Sequence, residues 1–146
     1  MFSVKSYAEL SKDELFAILR ARVEVFVVEQ TCPYMDIDGQ DDSAHHIIGY
    51  IDDRLGLYTR IFFRPEQHEC SIGRVIVHSR HRGCGLGRVL MEHSEQTCLD
   101  IHNPTSIYLG AQAHLKDFYG SLGYRVTGPE YDEDGIPHLP MRKIIP

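Results

Sequence analysis

Ile72-Gly73-Arg74-Val75-Ile76-Val77-His78-Ser79-Arg80-His81-Arg82-Gly83-Cys84-Gly85-Leu86-Gly87-Arg88-Val89-Leu90-Met91 is the stretch on which the reading of this chain turns. Its first part is a strand, Ser71 to His78, because Ile72, Val75, Ile76 and Val77 are all β-branched. A basic turn follows, then three glycines. Leu86, Val89, Leu90, His93 and Thr97 then recur at helical spacing, which carries a helix to about Asp100. Strand, glycine turn and helix together make an anion site. Glycines let the backbone curl so that its N–H groups converge, and the helix start adds its positive dipole end. The arrangement suits a pyrophosphate. Arg80, Arg82 and Arg88 add countercharge at its rim. Gly83, Gly85 and Gly87 do not fit G-x-G-x-x-G, and no Gly-Lys-Ser/Thr follows, so neither a dinucleotide fingerprint nor a Walker A loop is present.

Working outward, Phe2 to Lys5 reads as a first strand. Ser11-Lys12-Asp13-Glu14 is a capping box that opens a helix from about Lys12 to Val28. Cys32 to Ser43 is a polar loop. Ile47 to Asp52 and Leu55 to Phe63 are strands joined by a turn at Asp52-Asp53-Arg54, and Pro65 to His68 breaks the pattern. Beyond the long helix come a strand at Ser106 to Gly110, a short helix at His114 to Leu122 ended by Gly123, and strands at Tyr124 to Thr127 and His138 to Ile144. The order is β-α-β-β-β-α-β-α-β-β. Three strands in a row before the glycine turn indicate a mixed, mostly antiparallel α/β sheet of about 6–7 strands flanked by helices, unlike the strict alternation of a doubly wound fold. The 146 residues suit one domain, 1–146.

Composition narrows the function. The formal net charge of -6 argues against nucleic acid or an anionic membrane as partner and is compatible with a cationic acceptor such as an amine. No apolar run approaches the ~20 residues of a membrane span, and Met1 to Leu10 lacks a signal-peptide core. Cys32, Cys70, Cys84 and Cys98 form no C-x-x-C, which reads as reduced thiols and a cytoplasmic location. No metal is expected: H-E-x-x-H is absent, and His45 and His46 project to opposite faces of a strand.

Arg82-Gly83-Cys84-Gly85-Leu86-Gly87 resembles the Q/R-x-x-G-x-G/A signature of the GNAT (N-acetyltransferase) superfamily and sits where that family has it. Gln112 to Tyr124, with Phe118-Tyr119 and Gly123-Tyr124 inside it, is similar to the family's last helix, although Gln112 and Leu115 stand where many members carry Asn and Ala. A narrower resemblance, to the bacterial ElaA group, covers nearly the whole chain. Its marks are the run from Arg22 through Val25-Phe26-Val27-Val28-Glu29-Gln30, Cys32-Pro33-Tyr34, Asp36 and Asp38, then Ile72-Gly73-Arg74-Val75, Tyr108 to Leu115, and Glu133 to His138. The Arg-x-x-Val-Phe element is also similar to acyl-homoserine lactone synthases, which share the fold.

The resemblance implies a single-domain GNAT fold and acetyl-CoA as co-substrate. Amides of Gly83, Cys84, Gly85, Leu86, Gly87 and Arg88, with Arg82, would hold the CoA pyrophosphate. The backbone of Val75, Ile76 and Val77 would pair with the pantetheine arm, and Gln112 belongs to the same cofactor set. Tyr119 holds the position of the tyrosine that often protonates the departing thiolate. The base is a separate matter. Histone-type members carry a base Glu on the strand before the turn, and Ser71 to His78 contains no carboxylate. Glu29 is the first candidate for base or amine anchor, with Asp36, Asp38 and His138 behind it. Asp132 to His138 reads as an acidic turn around Asp134-Gly135. The expected function is N-acetylation of a small-molecule or peptide amine by a monomer or homodimer. The alternatives are a noncatalytic acyl-CoA sensor and an acyltransferase using longer chains.

Overall fold

In a computed structural model that describes all residues, 1–146, eight strands form one open sheet. They are β1 (Phe2–Ser6), β2 (His45–Ile51), β3 (Arg54–Arg64), β4 (Glu69–Val77), β5 (Ser106–Gln112), β6 (Arg125–Val126), β7 (Tyr131–Glu133) and β8 (Ile136–Ile144). Three helices accompany them: α1 (Lys12–Arg22), α2 (Leu86–His102) and α3 (Lys116–Ser121). The sheet order is β1-β2-β3-β4-β5-β8-β6, with β7 added to β8. Every pairing is antiparallel except β4 with β5.

The eighth strand is the difference from the sequence reading. β7 occupies part of the segment read as a plain acidic turn. Asp134 and Gly135 do turn there, both at positive φ (52° and 83°), the left-handed pair that a tight hairpin needs. The Asp132 carboxylate accepts the Gly135 N–H at 3.1 Å. The hairpin extends β8 back to Ile136, and pairing of His138 with Gln112 extends β5 past Gly110.

Local chemistry sets the helices. Ser11 Oγ accepts the Glu14 N–H at 3.1 Å, and Glu14 accepts the Ser11 N–H at 2.9 Å, a complete capping box. Glu14 also receives Lys5 Nζ at 2.8 Å and the Tyr50 hydroxyl at 3.0 Å, which pins β1, α1 and β2 to one another. Beyond Arg22 the helix does not stop. It widens into a π-helical stretch, Val23–Glu29, that delivers Glu29 and Gln30 to the cleft described below. π-turns of this kind are rare and gather at functional sites.

Strand alternation divides the core. On one face Leu57 and Ile61 meet Leu90, Met91 and Cys98 of α2, all buried. Thr59 donates to Ser94 Oγ at 2.7 Å, since Ser94 already donates to the Leu90 carbonyl. On the other face Tyr58, Ile48 and Ile76 meet Ile18, Ala21 and Val25. This second layer covers only part of its face: it reaches Ile76 of β4, and beyond it residues of β4, β5 and β8 line the floor of a cleft.

Candidate active site

The floor of the cleft exists because β4 and β5 part company. They pair only from Glu69–Ser106 to Ser71–Tyr108. Beyond Ser71, β4 stays with β3, while β5 follows β8. From Ile72 to Val77, β4 therefore presents one backbone edge with no strand on it. A buried-sheet edge of this kind is a template for an extended ligand. A bulge sharpens the fork: Tyr58 opposes Ile76 but Arg60 opposes Gly73, so β4 carries one extra residue, and Arg74 sits there at φ 52°.

At the upper end of this edge lies the glycine turn. Gly83 and Gly85 have φ of 80° and 81°, conformations that other residues adopt at a cost. Gly85 is the N-cap of α2, so the next amides have no acceptor within the helix. Gly87 lets the Phe118 ring approach to 3.3 Å of where a Cβ would stand. Cys84 turns its thiol onto the His81 carbonyl at 3.1 Å. Arg88 donates to Ser121 Oγ at 2.9 Å, tying α2 to α3. Arg80 lies outside this set: it lines a separate groove beside α1 with Asp13 and Glu24, because the residues after Val77 coil into a single 3-10 turn that turns it away.

Arg82 and Glu29 come together across the cleft. Arg82 Nε donates to the Val77 carbonyl at 2.8 Å, and both of its Nη groups donate to the Glu29 carboxylate. The pair is half exposed, 42% for each side chain. The Arg82 guanidinium holds the Glu29 carboxyl below the usual carboxylate range. Glu29, the first candidate for base or amine anchor, is thus at the cleft and paired there with Arg82. Gln112 donates to Gln30 Oε1 at 3.1 Å and closes the same wall.

Tyr119 lines the cleft from α3 and is buried, with 6% of its surface exposed. Its ring packs edge-to-face on Phe118 and Tyr124, at 5.0 and 6.1 Å between centroids. Burial alone pushes its hydroxyl up to about 12, and no protein partner engages it. Val75, Val77 and Leu86 line the cleft as well, whereas the Ile76 side chain is turned into the α1 layer, leaving only its backbone toward the fork.

The other two carboxylate candidates are accounted for by a buried network. Asp36 accepts from Arg22 Nε and Arg74 Nε, both at 2.8 Å, and from the Tyr34 hydroxyl at 2.8 Å. Asp41 joins Arg22 to Arg60 at 2.6 and 3.0 Å. Asp38 takes two bonds from Arg60, at 2.9 and 2.7 Å, which hold its carboxyl down to about 2. Three arginines neutralise three aspartates. Asp36 and Asp38 are therefore corrected from candidate bases to supports that fix the loop between α1 and β2. His138 sits on the floor, its Nδ1 donating to the Ile136 carbonyl at 2.7 Å and its Nε2 3.2 Å from Glu133.

The whole cleft encloses about 1360 Å³ and runs from the glycine turn to the rung where β4 and β5 are still paired. Sequence reasoning missed Arg60, Arg64, Tyr108 and Tyr131 on its floor and wall. The signal was available for the floor. Residues 60, 62 and 64, and 108, 110 and 112, are alternate positions of two strands whose other faces are core.

A fork in a mixed sheet, capped by a left-handed glycine turn that opens a helix, is the arrangement of the GNAT acyltransferase fold. The acetyltransferase (GNAT) domain pattern matches residues 8–145. The chain belongs to that family. It is 45% identical to the protein ElaA of Escherichia coli K12 over 142 residues, which is 95% of this chain and 93% of ElaA. The crystal structure of E. coli ElaA superposes with a TM-score of 0.91 at 42% identity, covering 98% of both chains. An acyl-CoA N-acyltransferase from Pseudomonas aeruginosa superposes equally well, at 0.91 and 40% identity over 98% of this chain and 99% of that one. The fold is also that of an aminoglycoside 6'-N-acetyltransferase solved with coenzyme A (TM-score 0.77, 14% identity, 99% of this chain and 98% of that one).

Proposed function

We propose that the protein is an N-acetyltransferase that moves the acetyl group of acetyl-CoA to an amine. The observation that carries this reading is the placement of Tyr119, the unpaired β4 edge and the glycine turn on one cleft. The backbone of Val75, Ile76 and Val77 takes the pantetheine arm. Amides from Gly83 through Cys84, Gly85, Leu86 and Gly87 to Arg88, with the Arg82 side chain, take the pyrophosphate. Gln112 borders the arm. The thioester carbonyl then lies at the fork, with the amine arriving from the floor side.

The chemistry is a substitution at the thioester carbon. The amine nitrogen forms a bond to that carbon, the carbonyl becomes an oxyanion, and the C–S bond then breaks. The proton lost by nitrogen goes to Glu29, directly or through water, and Tyr119 stabilises the departing thiolate by a hydrogen bond. The free thiols of Cys32, Cys70, Cys84 and Cys98 fit a reducing compartment, the cytoplasm. The test is CoA release from acetyl-CoA in the presence of a panel of amines, repeated with longer acyl-CoAs. Release that needs an amine supports the reading. Cofactor binding without release from any amine would leave a sensor, and release only from longer acyl-CoAs would reassign the donor.

A further inference from the structure

Glu133 and the Glu29–Arg82 pair stand at the end of the cleft where Gln112 meets Gln30, and Arg64 stands at the other, below the fork. Tyr108 to Gln112 spans about 13 Å at roughly 3.3 Å per residue.

Arg64 carries charge that its surroundings do not use. The neighbouring carboxylate, Glu69, is buried and already engaged: Ser106 Oγ donates to it at 2.7 Å and Arg142 Nε at 2.9 Å. Arg64 reaches it through Nη1 alone, at 3.5 Å. Two guanidiniums thus share one carboxylate. Arg142 spends its remaining Nη1 on Thr127 Oγ1 at 3.1 Å, whereas the rest of the Arg64 guanidinium, on a side chain 42% exposed, lies open to the cleft. It also rests on an aromatic ring that it shares with Arg142. The guanidinium carbon sits 4.8 Å from the centre of the Tyr108 ring, on the last rung where β4 and β5 are paired. That places it about 7 Å, two residues of rise, from the level of Gly110. A stacked guanidinium with free donors matches a carboxylate in two-pronged fashion, and a lysine does so less well.

We propose that Arg64 is the carboxylate-binding residue of the acceptor subsite, and that the acceptor is an amine that also carries a carboxylate, an amino acid or short peptide. The inference rests on the N-acetyltransferase reading above. The amine faces the fork, and the acceptor's own carboxylate lies on Arg64.

The experiment uses acetyl-CoA with amino acids and dipeptides, each paired with its C-terminal carboxamide, and reads kcat/KM from CoA release. The expected wild-type result is a preference for the free carboxylate. Arg64→Gln lowers that preference by about 10–100-fold, the loss of a charge-assisted hydrogen bond, mostly through KM. Arg64→Lys keeps an intermediate preference and guards against a folding failure in Arg64→Gln. A wild-type enzyme that favours the carboxamides overturns the inference and leaves the transferase reading standing. So does an unchanged preference in Arg64→Gln. Absence of release from every member of the panel overturns both.

Discussion

Gly85→Asp is the perturbation that tests the cofactor placement most directly. Gly85 has φ 81°, and a Cβ built on it meets no atom within 4 Å. The fold therefore bears only the backbone cost of a left-handed side-chain residue, about 1–2 kcal/mol, with Asp at the lower end. For a chain of this size 1 kcal/mol moves Tm by about 2–4 °C, so unliganded Gly85→Asp melts roughly 2–8 °C lower, and Gly85→Ala reports the backbone strain without charge. Acetyl-CoA at one hundred times its Kd stabilises the wild type by about 2.7 kcal/mol, a rise of roughly 5–11 °C. In the variant a carboxylate stands among the amides that would hold the pyrophosphate. One like-charge pair at about 4 Å with an effective dielectric of about 20 costs about 4 kcal/mol, nearly three powers of ten in Kd. At the same ligand concentration the stabilisation then falls to about 0.1 kcal/mol, less than half a degree. The assay is calorimetric melting of wild type, Gly85→Ala and Gly85→Asp with and without acetyl-CoA, with circular dichroism as the check on folding. A folded Gly85→Asp protein that keeps the wild-type rise would falsify the placement of the pyrophosphate at this turn.

Three further outcomes follow from the same geometry. Tyr119→Phe should lower kcat by roughly 10–10³-fold, through loss of one charge-stabilising donor, with little change in acetyl-CoA affinity by titration calorimetry, because the ring packing on Phe118 and Tyr124 is kept; unaltered kcat would make Tyr119 a packing residue. Glu29→Gln should keep acetyl-CoA binding and lower kcat/KM for the amine by about 10²–10⁴-fold, the range of a general base, and wild-type turnover would pass the role to His138. Asp36→Asn leaves Arg22 and Arg74 without their shared carboxylate and should cost about 3–5 kcal/mol, a Tm drop of roughly 6–20 °C; a melt within two degrees of wild type would show the network to be dispensable, and Glu24→Gln, at an exposed pair, is the control at about 0.5 kcal/mol or less.

The parts of this fold that local chemistry dictates were readable from the sequence. The Ser11 capping box, the β-branched run ending at Val77 and the glycine turn each specify their structure within a few residues, and each is where it was expected. β7 was not readable: one tyrosine followed by two carboxylates is too short and too polar to read as a strand, and it pairs because the turn at Asp134-Gly135 folds it back on β8. The π-helical continuation to Glu29 was equally hidden, since its apolar spacing reads as an ordinary helix. Partners distant in sequence account for the site's corrections. Asp36 lies 38 residues from Arg74, and Glu29 lies 53 residues from Arg82. Nothing local distinguishes a carboxylate so compensated from a free one, and that distinction decides whether it is a base or a support.

The Glu29–Arg82 pair joins the two halves of the proposed reaction. At a half-exposed site such a pair contributes about 0–1 kcal/mol, so it holds Arg82 only weakly. A pyrophosphate in the adjacent turn offers the same guanidinium a stronger, multiply charged acceptor. On the reading proposed here, Arg82 turns toward the pyrophosphate when the cofactor binds, and Glu29 loses the contact that lowers its pKa. Its carboxylate then becomes the better proton acceptor, at the moment when an acyl group stands at the fork. Before that moment it is neutralised. On that reading the amine side of the cleft gains its proton acceptor once the cofactor side is filled, and no movement of the sheet is needed.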